Sequence, residues 1–233
     1  MKPLAIDLFC GLGGWTEGLL AEGYTVVGFD NERHAYGDAR YPAQLVLQDV
    51  LTLHGRQFKD AALIVASPPC QAYSYRAMPW KRAKALPPPS NELFEACFRI
   101  QREAIEAAGH HIPLVVENVR GAQPYVGRAK FHFGSFYLWG DIPALMVTGG
   151  TVKNGGDWFG PGKDCSLQRR QSSGFKQSGI SGTRKNGKGD RWFQDGAATH
   201  GSLSKARKAA SAHIAKIPYA LARHIAESWR PHD

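Results

Sequence analysis

The sequence predicts an α/β fold, a mostly parallel sheet with helices on both faces, and two observations carry that prediction. Short apolar runs alternate with helix-periodic segments through the first half of the chain, the pattern of strand, crossover and strand repeated in one sheet. Each run stops at a polar or glycine-rich turn, and these turns carry Gly11, Asp30, Asp49, Cys70 and Glu117. Open parallel sheets bind ligands beyond the carboxyl ends of their strands, so these five positions are expected to share one cleft.

Residues 4–9 read as the first strand, running into Gly11-Leu12-Gly13-Gly14 and a helix over about 15–22. The run 25–29 is the second strand and ends at Asp30; a polar stretch to about Arg40 is expected to be helical, and 44–47 is a further short strand ending near Asp49. The run 62–66 ends at Ser67-Pro68-Pro69-Cys70. From 92 to 108 the spacing of Leu93, Phe94, Cys97, Phe98, Ile100, Ala104 and Ile105 is helical, and 112–116 is a strand ending at Glu117-Asn118. The stretch 72–91 is proline-rich and basic, too long for a plain connection, and reads as a functional loop. Residues 149–201 hold 13 of the 26 glycines and read as an irregular insert. A helical segment over about 204–229, interrupted at Pro218, closes the chain. The expected organisation is a core over 1–140, a basic glycine-rich insert over 141–203 and a helical return over 204–233.

With 233 residues, 43% hydrophobic and 21% charged, the chain has the composition of an ordinary globular domain. It contains no run of eighteen apolar residues and no apolar leader after Met1, so a membrane or secreted protein is disfavoured and a cytoplasmic one expected. Cys10, Cys70, Cys97 and Cys165 are spaced by 60, 27 and 68 positions, without the close pairs of a zinc site or disulfide scaffold; they read as free thiols, and no metal is expected. Residues 1–150 carry 14 basic and 14 acidic side chains, whereas 151–233 carry 15 and 6, the whole of the +9 net charge. Such asymmetry is either a solvated basic surface or the footprint of a polyanion, whose phosphates release counterions when neutralised.

Gly11-x-Gly13-Gly14 between a strand and a helix lets backbone approach a ligand and offers N–H groups at a helix start. It does not complete a dinucleotide fingerprint, because the third glycine falls at Thr16, which counts against a nicotinamide oxidoreductase. Asp30 could accept a ribose hydroxyl pair and Asp49 an exocyclic amine; the alternative for each is a turn or helix cap. In Pro68-Pro69-Cys70-Gln71 two prolines stiffen a strand end and fix one thiol at the cleft, where a lowered pKa would make it a nucleophile. Cys10, Cys97 and Cys165 read instead as small buried hydrophobes. Glu117, after Leu114-Val115-Val116, is expected to be buried, protonated and able to donate to a ring nitrogen.

These residues carry a resemblance. Asp7-Leu8-Phe9-Cys10-Gly11-Leu12-Gly13-Gly14 resembles the first motif of DNA cytosine-5 methyltransferases, Pro69-Cys70-Gln71-Ala72-Tyr73-Ser74 their catalytic loop, and Glu117-Asn118-Val119 their Glu-Asn-Val motif, in the family's order. The segment Gly134-Ser135-Phe136-Tyr137-Leu138-Trp139-Gly140 is similar to compact phage-type members. The amino-methylating families carry tyrosine where Cys70 stands.

The resemblance implies a class I S-adenosylmethionine-dependent methyltransferase fold, Rossmann-like, with the cofactor beside the first strand ends. Asp7, Phe9, Gly11, Gly13, Asp30, Asp49 and Pro69 would contact it: Phe9 on the adenine, the Gly11 turn around the methionine part, Asp30 on the ribose and Asp49 on the adenine amine. Cys70 would add to carbon 6 of a flipped cytosine while Glu117 holds N3. The family's arginine-bearing strand is represented here only by Gly127-Arg128-Ala129-Lys130, which would put Arg128, or alternatively Lys130, in that catalytic role. In the last family motif His213 stands where asparagine is expected.

Double-stranded DNA is the implied partner and a monomer the expected state. Gln71, Ser74, Arg76, Lys81 and Arg82 on the catalytic loop, and Arg169, Arg170, Lys185 and Lys188 in the insert, are the expected DNA contacts, the latter interleaved with Trp158, Phe159, Phe175, Trp192 and Phe193. Two alternatives stay open: a catalytically silent DNA-binding relative, and an RNA cytosine-5 methyltransferase.

Overall fold

The computed structural model describes residues 2–73, 88–146 and 205–231. In chain order the elements are β1 (Leu4–Leu8), α1 (Gly14–Ala21), β2 (Thr25–Asp30), β3 (Ala35–Tyr36), β4 (Ala39–Arg40), β5 (Gln44–Leu47), β6 (Ala61–Ala66), α2 (Glu92–Ala108), β7 (Leu114–Asn118), α3 (Gln123–Val126), β8 (Phe131–Phe133), β9 (Phe136–Gly140), α4 (Lys205–Ala215) and α5 (Tyr219–Ser228). Seven strands form one sheet in the order β5-β2-β1-β6-β7-β9-β8. The first five are parallel; β9 runs antiparallel to both β7 and β8. This is the α/β architecture expected from the alternating runs.

Successive side chains of a strand point to opposite faces, and here both faces are apolar because both are covered. Ile6, Leu8, Ile64, Ala66 and Val116 pack under Phe94, Cys97, Ile100 and Ala104 of α2. Ala5, Leu63, Val65 and Val115 pack on the other face under Trp15 and Leu19 of α1 and Leu221, Ala222 and Ile225 of α5. Leu19, Leu221 and Ile225 are fully buried, and each contributes about 1.5–3 kcal/mol relative to exposure. Helices α1 and α5 cross closely because Gly18 lacks a side chain: a Cβ there would strike the backbone of Ala222 and Arg223. Lys216 and Arg223 pair with Glu17 and Glu22 across the same contact.

The stretch before Arg40 is not the helix that its polarity suggested. It forms the β3–β4 hairpin, in which Tyr36 pairs with Ala39 around Gly37 and Asp38. Gly37 has φ 60, a left-handed value suited to two-residue hairpin loops, and a glycine within a short helix would cost about 1 kcal/mol. Strand β7 begins at Leu114 rather than 112 because Pro113 has no N–H to donate.

The connection out of β1 proceeds toward β2 on one side, whereas β6 lies on the other side of β1. That reversal opens a crevice at the carboxyl ends of β1 and β6. Residues 9–13 and 67–70 occupy it.

Candidate active site

The turn after β1 is built from left-handed backbone. Phe9 has φ 57, Gly11 φ 51 and Gly13 φ 78; the glycines adopt this freely, while a phenylalanine held there is strained by roughly 1–3 kcal/mol. The three glycines are not equivalent. A Cβ on Gly13 would meet Pro42 and Tyr41, and one on Gly14 would meet Ile217 and Lys216, whereas nothing lies within 4 Å of a Cβ on Gly11. Gly13 and Gly14 therefore serve packing, and Gly11 faces open space. Two N–H groups expected to be free are in use: Gly11 donates to Asp30 Oδ2 at 2.9 Å and Gly13 to the Cys10 carbonyl at 2.7 Å.

Asp7 of β1 is 1% exposed. Its Oδ2 accepts from Thr16 Oγ1 at 2.6 Å, and Thr16 in turn lies 2.7 Å from the Tyr41 hydroxyl. With the Thr16 proton spent on Asp7, Tyr41 is the donor in the second bond. Asp7 Oδ1 is buried with no hydrogen-bond partner among the described residues. Burial pushes this carboxyl up to about 7, partly offset by the Thr16 hydrogen bond and reinforced by the charge of Asp30. Cys10, also buried, has its thiol raised by burial and by both aspartates.

Asp30 ends β2 with 7% exposure. Oδ2 takes the Gly11 N–H, and Oδ1 takes the Glu32 N–H at 3.3 Å and faces His34 Nε2 at 3.5 Å. Burial would raise this carboxyl, but the donors from His34, Gly11 and Glu32 hold it below the ordinary carboxylate value. Asp49 caps a short turn, its Oδ1 accepting from Leu51 N at 2.9 Å, and is otherwise exposed. The cap expected as the alternative is thus present, with Oδ2 left to face solvent.

At the end of β6, Trp15 Nε1 donates to Ser67 Oγ at 3.0 Å, and Ser67 hydrogen-bonds Glu117. Glu117, at the end of the adjacent strand β7, is 9% exposed, and burial pushes its carboxyl up to about 8, slightly offset by Ser67. It is protonated at neutral pH, as its place after three apolar residues suggested. Cys70 differs from its expectation. Burial raises its thiol, and Glu117, once ionised, raises it further, so the free protein holds a thiol rather than a thiolate.

The Cys70 turn is pinned at both ends. Asn118 Nδ2 donates to the Pro68 carbonyl at 3.0 Å. Tyr73, 3% exposed, donates from its hydroxyl to Asn91 Oδ1 at 3.0 Å, and Asn91 Nδ2 donates to the Tyr125 carbonyl at 3.0 Å. Tyr73 N also bonds the Cys70 carbonyl. Asn118 was within reach of the sequence as part of Glu-Asn-Val; Ser67, Asn91, Tyr41 and Thr16 were not singled out, since each acts through contacts distant in the chain.

Pro69 and Gln71 are exposed beside Cys70. Arg128 is exposed, and Lys130 is turned away, its Nζ donating to the Gly140 carbonyl. His213 lies on α4 with a buried Nδ1 that has no partner among the described residues. Ser74, Arg76, Lys81, Arg82, Arg169, Arg170, Lys185 and Lys188 lie outside the described residues. Among the described residues no helix is long and apolar enough to cross a membrane, and no cluster of three or more potential metal ligands occurs.

Residues 4–124 match the family model described as C-5 cytosine-specific DNA methylase. No curated protein matches the chain. Among solved structures it is similar to a DNA modification methyltransferase encoded within an E. coli prophage, at 25% identity and TM-score 0.38, over 54% of this chain and 35% of that one. It is also similar to the S. pombe Dnmt2 methyltransferase, at 16% identity and TM-score 0.36, over 55% and 37%. A third is the Entamoeba histolytica methyltransferase EhMeth, at 16% identity and TM-score 0.38, over 55% and 41%. The matched region thus spans little more than a third of the first solved relative.

Proposed function

Because the chain belongs to the C-5 cytosine-specific DNA methylases, by its match over residues 4–124, we propose that it transfers the methyl group of S-adenosylmethionine to carbon 5 of a cytosine in duplex DNA. The observation that carries this reading is a cysteine and a buried, protonated glutamate on adjacent strand ends beside the topological switch point.

The residues of the crevice fit that cofactor. Asp30 offers an ionised carboxylate to a ribose diol, and Asp49 a solvent-facing oxygen to the adenine amine. Phe9 and Pro69 supply apolar surface, and the open space over Gly11 admits the chain that follows the ribose. Asp7 Oδ1, buried and without a partner, suits a positively charged donor such as an α-ammonium group; Gly13 keeps the turn closed behind it. When bound, S-adenosylmethionine supplies a methyl group on a positively charged sulfur, open to attack by a carbon nucleophile.

Cytosine is not nucleophilic at carbon 5, and Cys70 with Glu117 would make it so. The Cys70 sulfur bonds to carbon 6 as the carbon 5–carbon 6 π pair moves onto carbon 5, and Glu117 gives its proton to N3. The thiol proton restores the Glu117 carboxyl, so the net transfer is from sulfur to N3, and no isolated thiolate has to exist beside a buried acid. After methylation, water takes the carbon 5 proton, its bonding pair re-forms the carbon 5–carbon 6 double bond and the Cys70 sulfur leaves with the carbon–sulfur pair; Glu117 gives its proton to that sulfur as N3 returns one to Glu117, so thiol and acid are both restored. Neither face of a stacked base is accessible to Cys70, so the cytosine must leave the helix, at a cost of a few kcal/mol. Gln71, Ser74, Arg76, Lys81 and Arg82 would receive it and its phosphates, with Arg128 at the rim. The basic insert, through Arg169, Arg170, Lys185 and Lys188, would hold the flanking duplex.

The test uses oligonucleotides carrying 5-fluorocytosine, whose fluorine cannot leave as a proton does, so that the Cys70 adduct accumulates. Incubation with S-adenosylmethionine should give a protein–DNA adduct, absent in Cys70→Ala. An adduct with RNA alone would select the RNA alternative. No adduct despite measured DNA binding would select the silent one.

A further inference from the structure

His34 follows Asp30 by four residues and turns back onto it. Its Nε2 lies 3.5 Å from Asp30 Oδ1, and its Nδ1 lies 3.6 Å from Glu32 Oε1 and 3.4 Å from the Tyr36 hydroxyl of β3. The third charged group facing it is Lys208 of α4, whose charge opposes protonation of the ring. The balance favours the cation: the hydrogen bond to Asp30 raises the imidazole against the burial that would lower it, and the charges of Asp30 and Glu32 add to the rise.

A carboxylate offers about four acceptor positions. On Asp30 one is taken by the Gly11 N–H and one by the Glu32 N–H, and His34 faces Oδ1 for a third. One position then remains, whereas a ribose diol brings two hydroxyl donors. On this count we propose that His34 is an affinity-determining residue of the cofactor site: it and the cofactor's ribose compete for Asp30 Oδ1, and loss of the imidazolium proton concedes that oxygen to the ribose. A neutral ring can place its remaining proton on Nδ1, toward Glu32 and the Tyr36 hydroxyl, and release Oδ1. Cofactor affinity should therefore rise with pH through a range that His34 sets. The inference rests on the assignment of Asp30 to the cofactor made above.

The experiment is calorimetric titration of the full chain with S-adenosylhomocysteine from pH 6 to pH 9, for the wild type, His34→Ala and His34→Gln. Asp7 titrates in the same range, but it does so in all three proteins, so the ratio of wild-type to variant Kd isolates His34. His34 is partly exposed beside a surface hairpin, and circular dichroism would establish that the variants fold. The expected ratio for His34→Ala is about tenfold weaker wild-type binding at pH 6, the worth of one charge-assisted hydrogen bond, converging on unity at pH 9. His34→Gln, uncharged but able to donate at every pH, should lie between them at pH 6 and keep the same offset from His34→Ala at pH 9. A ratio independent of pH, or tighter wild-type binding at pH 6, overturns the role of His34 alone. Absence of binding by the wild type at every pH overturns the cofactor assignment, and this inference with it.

Discussion

The side-chain amide of Asn118 donates to the carbonyl oxygen of Pro68 at 3.0 Å, tying the strand end that carries Glu117 to the turn that carries Cys70. Both groups are buried, and the Asn118 Oδ1 is itself used by the Val119 N–H. Asn118 thereby reinforces the β6–β7 pairing in holding the Cys70 turn beside the Glu117 strand end. Asn118→Ala should lower kcat by at least tenfold while leaving the Kd for S-adenosylhomocysteine within a few-fold. Stability should fall by about 1–3 kcal/mol, because the Pro68 carbonyl is left unpaired. Steady-state kinetics and calorimetry check both; an unchanged kcat would show that the tie is structural only.

Glu117 makes a prediction with a sign in pH. Its carboxyl is raised from 4.5 to about 8 by burial, so the folded state binds this proton more tightly than the unfolded one. The stabilisation is complete below the unfolded value and is lost as pH rises to about 8. Asp7, raised to about 7, acts in the same direction. Urea titrations at pH 6 and pH 9 should show the wild type losing about 2–3 kcal/mol more than Glu117→Gln. The same variant should be slower by about two to four orders of magnitude, as for loss of a general acid.

The Tyr73–Asn91–Tyr125 clasp holds the far side of the Cys70 turn. Asn91 precedes α2 but makes no side-chain cap to it, its amide being committed to the clasp. Asn91→Asp, ordinarily favourable before a helix, should here destabilise the protein by about 1 kcal/mol, because it removes the donor to Tyr125. Tyr73→Phe should cost a similar amount. Thermal unfolding of both variants decides whether the clasp bears load.

Gly18 is the point where α1 and α5 touch. Gly18→Ala would raise helix propensity in isolation, but a Cβ would collide with the backbone of Ala222 and Arg223. The expected result is destabilisation by about 1–3 kcal/mol, read from a lowered denaturant midpoint. A gain in stability would mean that the helices separate at little cost.

The strand ends were legible because each couples an apolar run to one chemically distinct residue: Asp30, Cys70 and Glu117 stand where the runs stop. The burial of Glu117 was legible for the same reason. The thiol state of Cys70 was not, because its pKa is set by burial and by a glutamate on another strand. Nor was the chain Asp7–Thr16–Tyr41, whose members are joined only once the hairpin has placed Tyr41 over Gly28. The hairpin itself was misread because polarity outweighed the single signal of Gly37.

Methyl transfer to cytosine in DNA is proposed to depend on Cys70 as its nucleophile. The most direct test gives the purified protein tritiated S-adenosylmethionine and unmethylated genomic DNA, with Cys70→Ser in parallel, followed by bisulfite mapping of the product. Label is expected on carbon 5 of cytosine and absent with Cys70→Ser, although the variant still binds S-adenosylhomocysteine. Label that persists in the variant, or no label from a wild type that binds both cofactor and DNA, would contradict that role of Cys70.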